Sequence, residues 1–328
     1  MTVLIITRSD DNECIEKVMQ AIDDRGGRAF RFNTDCFPTD LKLSAAYGTD
    51  DCRIVLGSGD DCLDLRDVEG VWYRRTRVGG MLPRDMDRQF FEACEKESKT
   101  VALGMVGGLN VFHMDYAVRI RRAANKQLQL RLARQVGLDV PRTLITNDPA
   151  AVREFAVGCR DGMVTKMLSS FAIFDEEGRE QVVFTSSVNP ADLEELDSLS
   201  LCPMTFQERV PKSVELRVTI VGDRVFCAAI DPHSTDRAGD DWRREGVELV
   251  DRWTHYDLPS EIGDRLVALV ECLGLNYSAI DVIVTPDGRH IFLELNPVGE
   301  YFWLEHWPGL PISEAIADVL LDRAPRRA

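Results

Sequence analysis

The sequence predicts an α/β protein of more than one domain. Its 328 residues exceed what a single core normally holds. It opens strand–helix–strand, and its second half alternates short apolar runs with helical spacing and two glycine-marked hairpins. Thr2 to Ile6 is the first strand. Glu13 to Arg25 carries Ile15, Val18, Met19 and Ile22 at helical spacing until Gly26-Gly27 stops it, and Arg28 to Phe32 is the second strand. No Gly-x-Gly-x-x-Gly joins strand to helix, which argues against a dinucleotide fold. Further strands are expected at "CRIVL" and "GVWYRR", and a helical stretch from Pro83 to Val106, with a first domain ending near residue 115. Arg119 to Val136 reads as one basic amphipathic helix, stopped by Gly137 with Pro141 beyond. A strand in "PRTLITN", a helix from Pro149 to Cys159 and strands in "GMVTKML" and "MTFQERVP" follow, with Glu180 to Ser187 pairing backwards. A hairpin turns at Gly222-Asp223, Pro232 to Gly246 reads as a mobile loop, and Ser260 to Leu273 is a helix. A second hairpin turns at Asp287-Gly288, and a last helix runs from Ile312 to Leu321.

Composition narrows the function classes. A net charge of −16 argues against general nucleic-acid binding, which needs a basic surface. No run is long enough to cross a membrane, and the N-terminus lacks the basic start of a signal peptide. Nine cysteines without a Cys-x-x-Cys pair suit reduced thiols rather than a disulfide framework or a zinc site. A cytoplasmic protein is expected; a homodimer is compatible with all of this.

The hairpin from Asp281 to Pro297 carries the chemistry. With Asp287-Gly288 as a two-residue loop, Pro286 faces Arg289, Ile283 faces Phe292 and Asp281 faces Glu294. Val282 and Val284 then share the opposite, apolar face with Ile291, Leu293 and Leu295. Like charges directly across a ladder are destabilising, so a positive group is expected between Asp281 and Glu294. With Asn296 they form a set of hard oxygen donors suited to Mg²⁺ shared with nucleotide phosphates. A solvated acidic face with a salt-bridging Lys or Arg beside it would give the same pattern. Lys166 lies in an apolar strand and needs an anion partner, and Lys126 lies in the basic helix. "FQERVP" offers a strand edge before a proline for an adenine ring. Glu208 and Glu215 are acids able to take ribose hydroxyls, and Arg217 shares the face of Glu215. Together these suggest a nucleotide site.

In this order, "NKQLQLRLARQVGLDVPRTLITN", "VTKML", "FQERV…ELRVTIVGD" and "AIDVIVTPDGRHIFLELNP" resemble the ATP-grasp superfamily of carboxylate–amine and carboxylate–hydroxyl ligases across the chain. The resemblance implies an ATP-grasp fold with an N-terminal α/β pre-grasp domain (1–115), a central domain (116–206) and a C-terminal domain with the metal site (207–328). It implies that Lys126 and Lys166 contact ATP phosphates, Gln207, Glu208, Arg209 and Val210 line the adenine, and Asp281, Glu294 and Asn296 hold Mg²⁺. "GVWYRR" before a long helix and "NKQ" is most similar to the microviridin-type peptide ligases, the graspetide synthetases. Those enzymes join Asp or Glu side chains to Ser, Thr or Lys side chains within a ribosomally made precursor peptide. Arg217 and Arg244 are then expected to stabilise the transferred phosphoryl. Arg74 and Arg75 are expected to receive the acidic substrate, since the guanidinium fork pairs bidentately with a carboxylate. An ATP-grasp ligase that adds a free amino acid is the alternative, and a nucleotide-sensing module is a third reading.

Overall fold

The computed structural model describes residues 1–49, 52–59, 61–168, 172–174, 180–182, 185–232 and 250–327. The expected loop after Pro232, with Arg243 and Arg244, lies almost wholly outside them. In the N-terminal third, β1 (Thr2–Thr7), α1 (Cys14–Asp24) and β2 (Arg28–Asn33) lead into β3 (Lys42–Tyr47), β4 (Cys52–Ser58), β5 (Asp61–Asp64) and β6 (Val68–Tyr73). The helix α2 (Arg88–Gly107) and β7 (Phe112–His113) complete it. Strands β2-β1-β6-β7 form a parallel sheet, and β3-β4-β5 a separate antiparallel one. Leu4, Ile6 and Phe32 of the first meet Leu56 and Leu63 of the second in one core.

The expected long basic helix is two helices, α3 (Ala117–Ala123) and α4 (Lys126–Gln135). Asn125 breaks it: its backbone is extended, and its side chain accepts from Leu128 N at 3.0 Å as an N-cap. Lys126 therefore opens a helix instead of sitting within one.

The middle sheet comes from β8 (Thr143–Thr146), β9 (Met163–Lys166), β12 (Ser186–Val188) and β13 (Met204–Glu208), in the order β12-β9-β13-β8. The helix α5 (Pro149–Val157), capped by Asp148, covers one face, and β10 (Ala172–Phe174) pairs with β11 (Glu180–Val182) apart from it. The third sheet has the order β16-β15-β14-β17-β18: Thr254–His255, Arg224–Ile230, Val214–Val221, Tyr277–Val284 and His290–Asn296. Its apolar face, with Leu216, Val218, Ile280, Val282 and Phe292, is covered by α6 (Ser260–Leu273) together with α3 and α4. The other face is divided. Val221, Ala228 and Tyr277 join a core with α1, α7 (Phe302–His306) and α8 (Ile312–Leu320). Glu215, Arg217 and Asp281 lie on the same face, beyond that cover.

One buried acid ties the N-terminal third to this sheet. Asp115 is 4 % exposed and accepts from Asn276 N at 2.7 Å and Tyr277 N at 3.2 Å. Burial pushes its carboxyl well above the usual range, against those two donors. All nine cysteines are free thiols, and among the described residues no helix is long and apolar enough to cross a membrane.

Candidate active site

Asp281 faces Glu294 across β17 and β18, and Ala279 faces Asn296. The route to that register differs from the sequence expectation. Val284 faces His290, and Thr285 N donates to Arg289 O at 2.9 Å, so the loop is Pro286-Asp287-Gly288, with Gly288 at φ +82°. A proline cannot supply the N–H that a pair with Arg289 requires, and Pro286 instead starts a three-residue turn ending in a left-handed glycine. Ile283 consequently faces Ile291, not Phe292, and Phe292 joins the apolar face. A bulge at Leu293 restores the register, because Val282 pairs with Phe292 and Asp281 with Glu294.

The expected positive groups are Arg217 and Lys126. Arg217, directly across from Asp281 on β14, donates from Nη1 to Asp281 Oδ1 at 2.7 Å and from Nη2 to the Glu300 carbonyl at 3.0 Å. It is 6 % exposed, lies 5.7 Å from the Trp303 ring centre, and its Nε is buried with no partner among the described residues. Lys126 reaches from the start of α4 to Glu294 Oε2 at 3.2 Å, Asn296 Oδ1 at 3.2 Å and the Leu295 carbonyl at 3.1 Å. Asn296 Nδ2 donates to Glu294 Oε1 at 3.2 Å. Gln129, one turn along α4, accepts from Leu295 N at 2.9 Å and donates to Leu295 O at 2.7 Å, locking helix to strand. The site thus brings two carboxylates, two cations and an amide together at one sheet face, with Lys126 supplied from α4. Oxygen donors of this kind and number fit a Mg²⁺ ion, which takes one or two carboxylates and fills its shell with phosphate and water.

The middle sheet contributes a second polar face. Lys166 and Ile145 both pair with Thr205, and Gln207 pairs with Val164 and Thr143, so all six share one face while Leu144 and Phe206 enter the core on the other. Gln207 is 3 % exposed and donates to Thr143 Oγ1 at 2.9 Å. Glu208 spends one oxygen on Arg142 N at 2.9 Å, and Arg209 N bonds Gly162 O at 2.9 Å. Val210, past the last strand pair, makes no backbone hydrogen bond among the described residues. Glu215 accepts from Lys212.

This geometry can be set beside known proteins. Residues 2–121 match the model of the MvdD pre-ATP grasp domain. Over 98 % of this chain and 100 % of the other, the structure is similar to macrocyclase MdnC bound with precursor peptide MdnA from Microcystis aeruginosa MRC, at 48 % identity and a TM-score of 0.88. The chain belongs to the ATP-grasp macrocyclase family. A Chryseobacterium gregarium RiPP-associated ATP-grasp ligase in complex with ADP, a leader and a core peptide is 38 % identical with a TM-score of 0.95, covering 99 % of this chain and 98 % of its own. Macrocyclase MdnB from Microcystis aeruginosa MRC is 39 % identical with a TM-score of 0.80, covering 98 % and 99 %. The comparison with curated protein sequences gave no match.

In this ATP-grasp ligase the paired arginines of β6 are placed differently from a substrate-receiving patch. Arg74 is 2 % exposed, with Nη1 on the carbonyls of Val298 (3.0 Å) and Gly299 (3.1 Å) and Nη2 on Glu300 Oε2 at 2.7 Å. Trp72 and Tyr301 flank its guanidinium. It binds the N-terminal third to the loop after β18 and has no face left for a substrate carboxylate. Arg75 pairs with the other oxygen of Glu300 and keeps part of its side chain in solvent. Asn12 also donates to Glu300, and Tyr277 Oη donates to the Gly299 carbonyl at 2.6 Å. A Cβ on Gly299 would lie 2.5 Å from Ala279 Cβ and 2.8 Å from Arg217 Nη2, so this loop is pressed onto the site. Sequence reasoning missed Glu300 and Gly299. The usable signal was "NPVGEY", a small residue and an acid directly after the oxygen donors.

Proposed function

We propose that this protein is an ATP-dependent ligase that closes side-chain-to-side-chain ester or amide rings in a ribosomally made precursor peptide. The full-length similarity to MdnC at 48 % identity carries the reading. ATP would lie between the middle and third sheets, with Lys126 and Lys166 on its phosphates, Gln207 to Val210 along the adenine, and Glu208 or Glu215 at the ribose. The ADP in the Chryseobacterium gregarium relative supports nucleotide use. Asp281, Glu294 and Asn296 would hold Mg²⁺, which supplies charge neutralisation at the transferred phosphoryl.

A substrate Asp or Glu carboxylate attacks the γ-phosphorus, the bond to the bridging oxygen breaks, and an acylphosphate and ADP form. A Ser or Thr hydroxyl or a Lys amine then adds to the acyl carbon, loses its proton and displaces phosphate. Arg217 and Arg244 neutralise the anion that develops. Arg217 is fixed in advance by Asp281 and the Glu300 carbonyl, so it does not reorganise as charge moves. Arg75 remains for the substrate acid, whereas Arg74 positions the loop.

Mass spectrometry of the cognate precursor after incubation with enzyme, ATP and Mg²⁺ tests this. Each ring removes one water, and mild alkali restores it to esters while amides resist. A mass gain equal to an added residue would replace this reading with the amino-acid-adding ligase.

A further inference from the structure

Val298, Gly299 and Glu300 follow the oxygen donors of β18, and the carbonyls of all three accept from buried side chains. Arg74 Nη1 donates to Val298 O and Gly299 O, Tyr277 Oη to Gly299 O at 2.6 Å, and Arg217 Nη2 to Glu300 O at 3.0 Å. Arg74 holds the N-terminal third to this loop, and Arg217 belongs to the site. Tyr277 has no part yet in either. It is 2 % exposed, and burial pushes its phenol above the ordinary value, which keeps the hydroxyl a protonated donor.

The place of Tyr277 on β17 gives that bond its meaning. Tyr277, Ala279 and Asp281 alternate along the strand and so share one sheet face. Gly299 lies over the middle of this row, because a Cβ on it would stand 2.5 Å from Ala279 Cβ and 2.8 Å from Arg217 Nη2. Its carbonyl meets the Tyr277 hydroxyl, and the next carbonyl meets Arg217, whose Nη1 is on Asp281 at 2.7 Å. Strand, loop and guanidinium therefore form a closed ring of contacts, attached to β17 at Tyr277 and at Asp281. The backbone of Tyr277 is fixed in turn, since its N–H donates to the buried Asp115 carboxyl at 3.2 Å.

We propose that Tyr277 is a positioning residue for phosphoryl transfer, acting through the Gly299 and Glu300 carbonyls to set the guanidinium of Arg217. This rests on the role given to Arg217 in the ligase reading above. Two hydrogen bonds orient that guanidinium, and one of them goes to Asp281, a carboxylate also assigned to Mg²⁺. The other ends on a backbone carbonyl with no second duty, so the direction of Arg217 depends on where the loop puts that carbonyl. A guanidinium acts as pre-set charge only while its direction is fixed, and a displacement of about 1 Å is enough to cost up to ~100-fold in rate. A hydroxyl bonded to a loop that only glycine fits supplies that fixing from the same strand that carries Asp281.

Tyr277→Phe tests this with the packing of the ring kept. The Gly299 carbonyl retains Arg74, so no buried acceptor is stranded and the variant should fold. With precursor, ATP and Mg²⁺, kcat should fall on the order of tenfold while KM for ATP and for peptide stay within about twofold of wild type. In an Arg217→Lys background, where the guanidinium fork is already lost, the same change should cost less than about twofold, since residues acting through one group are not additive. A hydroxyl that only supports the fold would lower both backgrounds alike. A second readout needs no turnover. In ¹⁵N-labelled protein the Arg217 Nε–H signal, identified by its absence in Arg217→Lys, should shift or broaden in Tyr277→Phe, and that of Arg25, bonded to Asp318, should not. An unchanged Arg217 signal, an unchanged kcat, or equal losses in the two backgrounds would each overturn the proposal. Where Arg217→Lys turns over too slowly to measure, the signal and the kcat of Tyr277→Phe decide. If the wild type closes no rings yet Tyr277→Phe displaces the Arg217 signal, the ligase reading fails and the tie between Tyr277 and Arg217 stands.

Discussion

Replacing Glu300 with Gln should destabilise the protein by about 2 kcal/mol, a value that follows from its position between two extremes. Breaking a fully buried ion pair by neutralising one member costs about 3–5 kcal/mol, because the other charge is stranded, whereas exposed pairs contribute at most about 1 kcal/mol. Here the Arg74 side chain is 1 % exposed and the Glu300 side chain 26 %, at 2.7 Å. Gln keeps an acceptor for Arg74, and the Val298 and Gly299 carbonyls still bond it, so the estimate falls below the buried extreme. For a chain of 328 residues, a loss of that size should lower the melting temperature by roughly 3 °C. Glu16→Gln is the control: its partner is Arg31, but Glu16 is 59 % exposed and should cost less than about 0.5 kcal/mol. Differential scanning fluorimetry reads both variants against wild type. Turnover should fall as well in Glu300→Gln, since the Glu300 carbonyl orients Arg217. If Glu300→Gln melts within a degree of wild type, or no lower than Glu16→Gln, Arg74 does not depend on this carboxylate and the clamp is refuted.

Two further outcomes concern other charges. Asp281→Asn and Glu294→Gln should each lower turnover at ordinary Mg²⁺ by at least about a hundredfold while the protein stays folded by circular dichroism; full turnover in both would remove the metal assignment. Asp115 titrates in the opposite sense from a salt-bridged acid. Its folded pKa is raised, so the stability it contributes is full below about pH 4 and is lost as pH rises through the folded value. Asp115→Asn should therefore flatten the decline in urea midpoint between about pH 4 and neutrality, and an unchanged slope would count against a raised pKa.

Much of the fold was legible because its signals are local. Ser260 to Leu273 was bounded by helical spacing and a following glycine, and Gly222-Asp223 by turn chemistry alone. The Asp281–Glu294 pairing was reached through two displacements that cancel: a loop one residue longer than Asp287-Gly288 suggests, and a bulge at Leu293. The longer loop put Ile291 and Phe292 on the faces opposite to those expected, and the bulge, which leaves no mark in the sequence, hid that error by restoring the pairing at Glu294. Arg74 was misread for a different reason. An arginine pair at a strand end looks like protective edge charge or a substrate patch, and only the loop 224 residues away shows what it holds.

The split helix matters most for the site. Because Asn125 starts a new helix, Lys126 stands at the end of α4 and reaches Glu294 and Asn296, the oxygens expected to hold a cation. The structure shows the salt-bridged reading of that acidic face, and the metal reading is the one proposed once nucleotide is bound. Before substrate binds, it is a salt-bridged face, with Arg217 on Asp281 and Lys126 on Glu294. A divalent cation delivered alone would have to displace the ammonium of Lys126 and leave it partly buried without a counter-charge, which is expensive. Under the proposed phosphate role of Lys126, a nucleotide would remove that penalty by giving the ammonium a new anion as Glu294 is released. The charge arrangement thus favours joint entry of metal and nucleotide over metal first, and it does so through one lysine placed by one cap.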